Sequence, residues 1–222
     1  LGDVYKRQAP QQRLHTDPVV HAYAITARRC GFHREHLVAF FSSMRADLTH
    51  REYSPSELQD YIYGSAEAIG LLCLQIFLAE ENVSPADRAA MERGARALGS
   101  AFQKINFLRD LREDSSTLGR TYFQQAPSGR IDEATKSALI AEIRRELATA
   151  ALTIDLLPAS ARVGVSAAAD IFAELTNRLA ATPATALATT RVSVPNHTKA
   201  WLAARAVRRR GRSSQISPTG EN

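Results

Sequence analysis

Apolar residues return every three or four positions along most of this chain, and nowhere do they alternate over the length of a strand. Leu37, Phe40, Phe41, Met44 and Leu48 trace one such stripe. A period near 3.6 puts them on a single helical face. Two segments carry marked helix starts, Ser54-Pro-Ser-Glu57 and Ser84-Pro-Ala-Asp87. In each, the serine oxygen can accept an orphan N–H, proline suits the first helical position, and the acid meets the positive end of the helix dipole. The pattern predicts helices over 18–29, 34–49, 55–80, 85–113, 132–156, 158–181 and 197–208, with Gly31 closing the first. Aromatics make up only 7% of the residues, and the excess of alanine, leucine and arginine favours helix over strand. The expected fold class is all-α, a bundle of six to eight helices.

A chain of 222 residues is long enough to bury a core of its own. Residues 1–8 lack helical periodicity and read as a cloning or sequencing scar. Residues 9–208 read as one partial domain whose first helices are missing, and 209–222 as a disordered basic and polar tail. The net charge is +5, much of it from Arg205, Arg208, Arg209, Arg210 and Arg212. A solvated terminus accounts for such a tail. Nucleic-acid binding is not expected, because no motif or interleaved aromatics accompany the arginines. Cys30 and Cys73 build no disulfide framework, which suits a reducing compartment. The longest apolar run, 68–79, is too short to span a bilayer. The expected location is the cytoplasm, with contact at a membrane surface left open, as is the oligomeric state.

The stretch from Ala101 to Tyr122 carries the chemistry. Asn106, Asp110 and Asp114 are four apart, so each step turns by about 40° and all three share one helical face. Phe102, Ile105, Leu108 and Leu111 can seat that helix in the core. Clustered like charges on one face are destabilising unless something offsets them. Oxygen ligands alone suit a hard ion such as Mg²⁺, which completes its shell with water and phosphate oxygens. Spacing alone also fits a solvent-facing acidic patch, but acids near a helix C-terminus oppose the dipole, and this favours the metal. His33 and His36, spaced i,i+3, are expected to be an exposed pair with no acid or cysteine partner.

A second stretch, Tyr61 to Phe77, holds Gly64, Ser65, Ala66, Ala68 and Gly70 inside a helix. Each glycine there costs about 1 kcal/mol relative to alanine. Close helix packing or an apolar channel would offset that cost. Glu67 is out of place among these small residues unless it is paired or faces solvent.

Together, Tyr61-Ile-Tyr-Gly-Ser-Ala-Glu-Ala-Ile-Gly70 and Asn106-Phe-Leu-Arg-Asp110-Leu-Arg-Glu-Asp114, followed by Gly119-Arg-Thr-Tyr122, resemble the squalene/phytoene synthase family. Met44-Arg-Ala-Asp-Leu48 is similar to the segment that precedes the tyrosine helix in phytoene synthases, and Arg191-Val-Ser-Val-Pro195 to the family's last basic element. The resemblance spans about 18–199. It implies an isoprenoid-synthase-type helical bundle that acts as a prenyltransferase with Mg²⁺, for which Mn²⁺ is an alternative. The implied substrates are isoprenyl diphosphates. It also implies that Asn106, Asp110 and Asp114 hold the metal and diphosphate and that Tyr61 acts near the carbocation or leaving group. Gln103 then faces the cavity, Ala66, Ile69 and Gly70 line the prenyl channel, and Arg191, Arg120 and Tyr122 flank the diphosphate.

The implied reaction joins two geranylgeranyl diphosphates head to head through a cyclopropyl diphosphate to give phytoene. A squalene or dehydrosqualene synthase using farnesyl diphosphate is the alternative enzyme. A non-catalytic helical interaction protein is the alternative of another class. Three departures stand out. Glu67 follows Ala66 where the family has glycine, Phe172 replaces a tyrosine, and Gln124 stands near the place of a proline. The family's first aspartate-rich motif would fall before residue 1, so this chain by itself is expected to be inactive.

Overall fold

The computed structural model describes residues 16–50, 52–116 and 131–213, without the side chains of 112–116 and 210–213. The described residues form helices and no strands. They are α1 (Pro18–Cys30), α2 (Arg34–Thr49), α3 (Pro55–Ile62), a π-helical turn (Tyr63–Glu67), α4 (Ala68–Phe77) and α5 (Pro85–Ser116). After these come α6 (Glu133–Ile154), α7 (Ala159–Ala181), the single turn α8 (Ala184–Leu187) and α9 (Asn196–Ser213). None of these helices is long and apolar enough to cross a membrane.

Most starts and stops follow the capping chemistry. Ser54 and Glu57 form a reciprocal capping box, with Ser54 N–H donating to Glu57 at 2.8 Å. Ser84 Oγ accepts from Asp87 N–H at 3.0 Å, and Asp132 caps α6 by accepting from Thr135 N–H at 2.7 Å. Gly31 ends α1 in the left-handed conformation, at φ 63°, which glycine adopts at no steric cost. The tail differs from expectation. α9 continues to Ser213, five residues past the predicted stop, because its arginines are good helix formers. The predicted loop from Ser115 begins later too, since α5 runs on through Ser116.

The predicted helix over 55–80 is the largest correction. It stops at Phe77 and is interrupted by the π turn, whose Ala68 N–H bonds back to Tyr63 O. Such a turn holds one extra residue and upsets the regular i→i−4 ladder. Two hydroxyls converge on the Tyr61 carbonyl at this point, Ser65 Oγ at 2.6 Å and Ser43 Oγ at 3.2 Å.

α5 is the axis of the bundle, with α3, the π turn, α4, α6, α7 and α8 packed around it. Its buried face, Ala101, Ile105, Leu108 and Leu111, meets Ile140 and Ile143 of α6 and Leu175 and Leu179 of α7 in the main core. A smaller cluster of Leu74, Leu78, Met91 and Leu157 closes the opposite end. The corner between α7 and α8 is held from α6. Lys136, only 2% exposed, donates to the carbonyls of Ala180 (3.3 Å) and Thr182 (2.6 Å), while Glu133 accepts from Ala184 N–H at 2.9 Å. Beyond that corner Val194 is buried and Val192 packs on the same core. These contacts fix the segment that carries Arg191.

Candidate active site

The central helix borders an apolar cavity along one stretch and carries a charged cluster further on. Met91, Gly94, Ala95, Leu98, Gly99 and Phe102 of α5 border a cavity of about 570 Å³. Ala66, Ile69 and Gly70 face them from the π turn and α4, and Ala150, Thr153, Gly164 and Ala168 close it from α6 and α7. The wall is almost wholly apolar, so it can shelter a hydrocarbon and offers little to a polar ligand. From Met91 to Phe102 it runs about 16 Å along the axis, at 1.5 Å per residue.

The polar end lies on the same stripe. Gly99, Asn106 and Asp110 are spaced by seven and eleven, which keeps them within about 40° around the helix. Asp110 is half-buried, its side chain 20% exposed. It takes an ion pair from Arg191 Nε at 3.1 Å and another from Arg109 Nη2 at 2.5 Å. Asn106 Oδ1 is buried and has no hydrogen-bond partner among the described residues. A buried carbonyl oxygen left in this state is costly, and a cation bound next to Asp110 would satisfy it. Asn106 and Asp110 together offer the hard oxygen donors that Mg²⁺ takes, so the residues fit that ion. Asp114 is on α5 one turn further, but its side chain lies outside the described residues, as do Arg120 and Tyr122.

Tyr61 occupies a different position. Its hydroxyl donates to Asp47 Oδ1 at 2.9 Å, and its ring packs on Phe107 of α5 with centroids 6.1 Å apart. It borders a second, more polar cleft of about 380 Å³ with Ser43, Ala46, His50 and Tyr53. Gln103 is half-buried beside Phe102 and outside the apolar lining. Phe172, where a tyrosine was expected, stacks on Phe102 with centroids 3.8 Å apart.

Several partners were invisible to motif reading. Asp47, an isolated acid in the sequence, is the acceptor for Tyr61. Glu67 is buried and paired with Arg96 Nε at 2.7 Å, which explains an acid among small residues. Arg96 in turn lies over the Tyr63 ring, 5.5 Å from its centroid. Arg109 shares Asp110 with Arg191. The only sequence signal for Arg109 was its place inside the acidic motif. His33 and His36 also differ from the expected exposed pair. His36 is 7% exposed, and Glu35 brings a carboxylate to both rings, because the first turn of α2 folds these neighbours onto one point.

The glycines show how the walls approach. A Cβ at Gly70 would stand 2.6 Å from Ala95 O, and one at Gly99 would stand 2.7 Å from Ala66 O. Both are backbone contacts that cannot yield, so α4 and the π turn pack directly on α5. Close packing and the channel therefore occur on the same helix.

The squalene/phytoene synthase family model matches residues 2–198. Phytoene synthase 3 of Zea mays, a chloroplast protein, is 43% identical over 86 residues, 37% of this chain and 19% of that protein. A bifunctional lycopene cyclase/phytoene synthase of Blakeslea trispora is 27% identical over 136 residues, 54% of this chain and 22% of that protein. The chain thus spans about a fifth of the length of the curated relatives it matches. The crystal structure of squalene synthase HpnC from Alicyclobacillus acidocaldarius superposes with a TM-score of 0.58 at 17% identity, covering 94% of this chain and 72% of that one. That likeness speaks for the all-α isoprenoid-synthase-type fold. With its family model matched over most of its length, this chain belongs to the squalene/phytoene synthase family, prenyltransferase-type proteins that bind isoprenyl diphosphates and depend on a divalent metal.

Proposed function

We propose that this chain carries the diphosphate-binding half of a phytoene synthase, an enzyme that condenses two geranylgeranyl diphosphates head to head. The observation that supports this most is the shared stripe of α5, which borders an apolar cavity from Met91 to Phe102 and carries Asn106 and Asp110 one and two turns further on. A prenyl diphosphate has the same division, a long hydrocarbon tail and a compact polyanion. The tail lies against Ala66, Ile69, Gly70 and Gly99, and the diphosphate meets the Asp110–Arg191 end.

Asn106 and Asp110, with Asp114, would hold Mg²⁺, and Mn²⁺ fits the same oxygen set. The ion supplies charge neutralisation to the leaving diphosphate. Arg191 is 62% exposed, so it can leave Asp110 and bond the phosphate oxygens, and Arg109 remains to balance the carboxylate. The C–O bond of one substrate breaks, and its electron pair leaves with the diphosphate. The allyl cation alkylates the double bond of the second substrate and loses a proton, closing a cyclopropyl diphosphate. That intermediate loses its diphosphate with the bonding electron pair, and the cation left behind rearranges and gives up a proton to form the head-to-head product. Apolar walls exclude water, which would otherwise capture the cation. Tyr61, whose hydroxyl is held by Asp47, is assigned to the cation or leaving-group side by its resemblance to the family's tyrosine alone, since it borders the second cleft.

The test is product analysis on the full-length protein given geranylgeranyl diphosphate and Mg²⁺. Phytoene is expected, with Asp110→Asn and Arg191→Ala each lowering kcat by about a hundredfold or more, the loss typical of a missing transition-state charge contact. Product from farnesyl diphosphate alone would reassign the enzyme to the squalene type. A folded protein that converts neither substrate would overturn the enzymatic reading.

A further inference from the structure

At the start of α2, three potential ligands meet at the edge of the buried face, His33 and Glu35 exposed and His36 buried. His33, Glu35 and His36 each bring one ligand atom to within 4.8 Å of the others. His33 Nδ1 and Glu35 Oε1 are already 3.8 Å apart. Two atoms bound to one tetrahedral Zn²⁺ stand about 3.4 Å apart, as Zn–N and Zn–O lengths near 2.0–2.1 Å require. The gap to be closed is therefore small. The side chains that must move are the exposed ones, His33 at 63% and Glu35 at 73%.

From these residues we infer a Zn²⁺ site at the start of α2, with His33, Glu35 and His36 as ligands and a fourth position open to water. Two imidazoles and one carboxylate form a borderline-soft donor set that selects Zn²⁺ over Mg²⁺. It is thus separate in chemistry and place from the oxygen-only set on α5.

Three further observations support the site. His33 is the N-cap residue of α2 yet makes no side-chain capping bond, so the helix does not use its ring. The His33 and His36 rings lie nearly parallel, at an interplanar angle of 25° and a centroid distance of 5.5 Å. His36 is buried, and its Nδ1 lies 3.1 Å from the Tyr63 hydroxyl. An outer partner of this kind orients a ligating histidine and fixes its tautomer. A bound ion would join the turn after Gly31 to the first turn of α2. Through Tyr63 it would also tie that turn to the π segment beside the cavity.

Titration of the untagged full chain with ZnCl₂, after chelator treatment, measures this by calorimetry and thermal melting. One Zn²⁺ per chain and a raised Tm are expected, with no competition from excess Mg²⁺. His33→Ala and Glu35→Gln change exposed side chains and leave the fold intact by circular dichroism. Each should weaken binding by more than about tenfold, and Tyr63→Phe, which removes only the outer partner, by about tenfold. Asp110→Asn should leave Zn²⁺ affinity unchanged. Failure to bind Zn²⁺, equal binding by His33→Ala and Glu35→Gln, or loss of binding only in Asp110→Asn would overturn the site.

Discussion

Lys104 shows what a single residue can decide in this bundle. It stands between Gln103 and Ile105 on α5, with its side chain 11% exposed, and bonds Glu142 at 2.7 Å and Glu146 at 2.5 Å. Burial alone would lower its pKa, but the hydrogen bonds and charges of the two glutamates outweigh this and hold the ammonium above its ordinary value. Glu146 is raised, because burial costs its charged form more than Lys104 and Ser100 return. The pair locks α5 to α6 directly behind the Asn106–Asp110 stripe. Lys104→Met should therefore destabilise the chain by about 3 kcal/mol, since it leaves a buried carboxylate without its cation. Denaturant unfolding reads this as a lower midpoint at unchanged m-value. Adding Glu146→Leu should recover part of the loss, because the orphaned charge goes too. No motif announced Lys104, since its partners are 38 and 42 residues away.

At the scale of elements, the glycines and caps carry opposite lessons. Gly70 has Ala95 O where its Cβ would be, while Gly164 on α7 has nothing within 4 Å. Gly70→Ala should cost about 1–3 kcal/mol through overpacking. Gly164→Ala should add about 0.4–1 kcal/mol by stiffening the unfolded chain. Thermal melts of the two variants should shift in opposite directions. The caps make stability depend on acid. Hydrogen bonds from Ser54 hold Glu57 below its ordinary pKa, and those from Thr135 do the same for Asp132. The unfolded chain binds these protons more readily than the folded one. Their contribution is thus complete above the ordinary carboxylate range and lost as pH falls through the depressed values. Melting temperature measured from about pH 6 down to about pH 3 should fall, and less steeply in Glu57→Gln and Asp132→Asn, which no longer titrate. The Ser54 cap was readable as a Ser-Pro-x-acid pattern, whereas Asp132 was read only as the start of its helix and the structure makes it the cap. The π turn was not readable, because Gly64, Ser65 and Ala66 are too small to show the shift in apolar phase that an extra residue causes.

For the whole molecule, the decisive feature is that one helix borders both an oily cavity and a charged end. The main core lies on one side of α5 and the Leu74–Met91–Leu157 cluster closes the far end. The cavity lies between helices that Gly70, Gly94 and Gly99 let pack closely, with Ala66, Ile69 and Leu98 among its lining. Ile69→Trp should occupy that space. In the full-length protein it should lower kcat/KM for geranylgeranyl diphosphate by about tenfold or more while sparing a shorter prenyl substrate, the discrimination a changed hydrocarbon pocket gives. Competition between the two substrates, followed by product chromatography, measures it. Equal losses for both would argue that the cavity does not hold the tail.

The sequence by itself determined the helical class, most helix boundaries, and the shared helical face of Asn106 and Asp110, because periodicity, caps and i,i+4 spacing are local properties of the chain. It also marked Arg191 and the small residues of the cavity wall through resemblance. Only the tertiary structure decided that Arg191 meets Asp110, that Asp47 holds Tyr61, that Arg96 neutralises Glu67, and that Tyr61 borders a cleft apart from the apolar cavity. Each joins positions 14 to 81 residues apart. Such pairings follow from how helices pack around α5, and packing is settled by the whole set of buried faces at once.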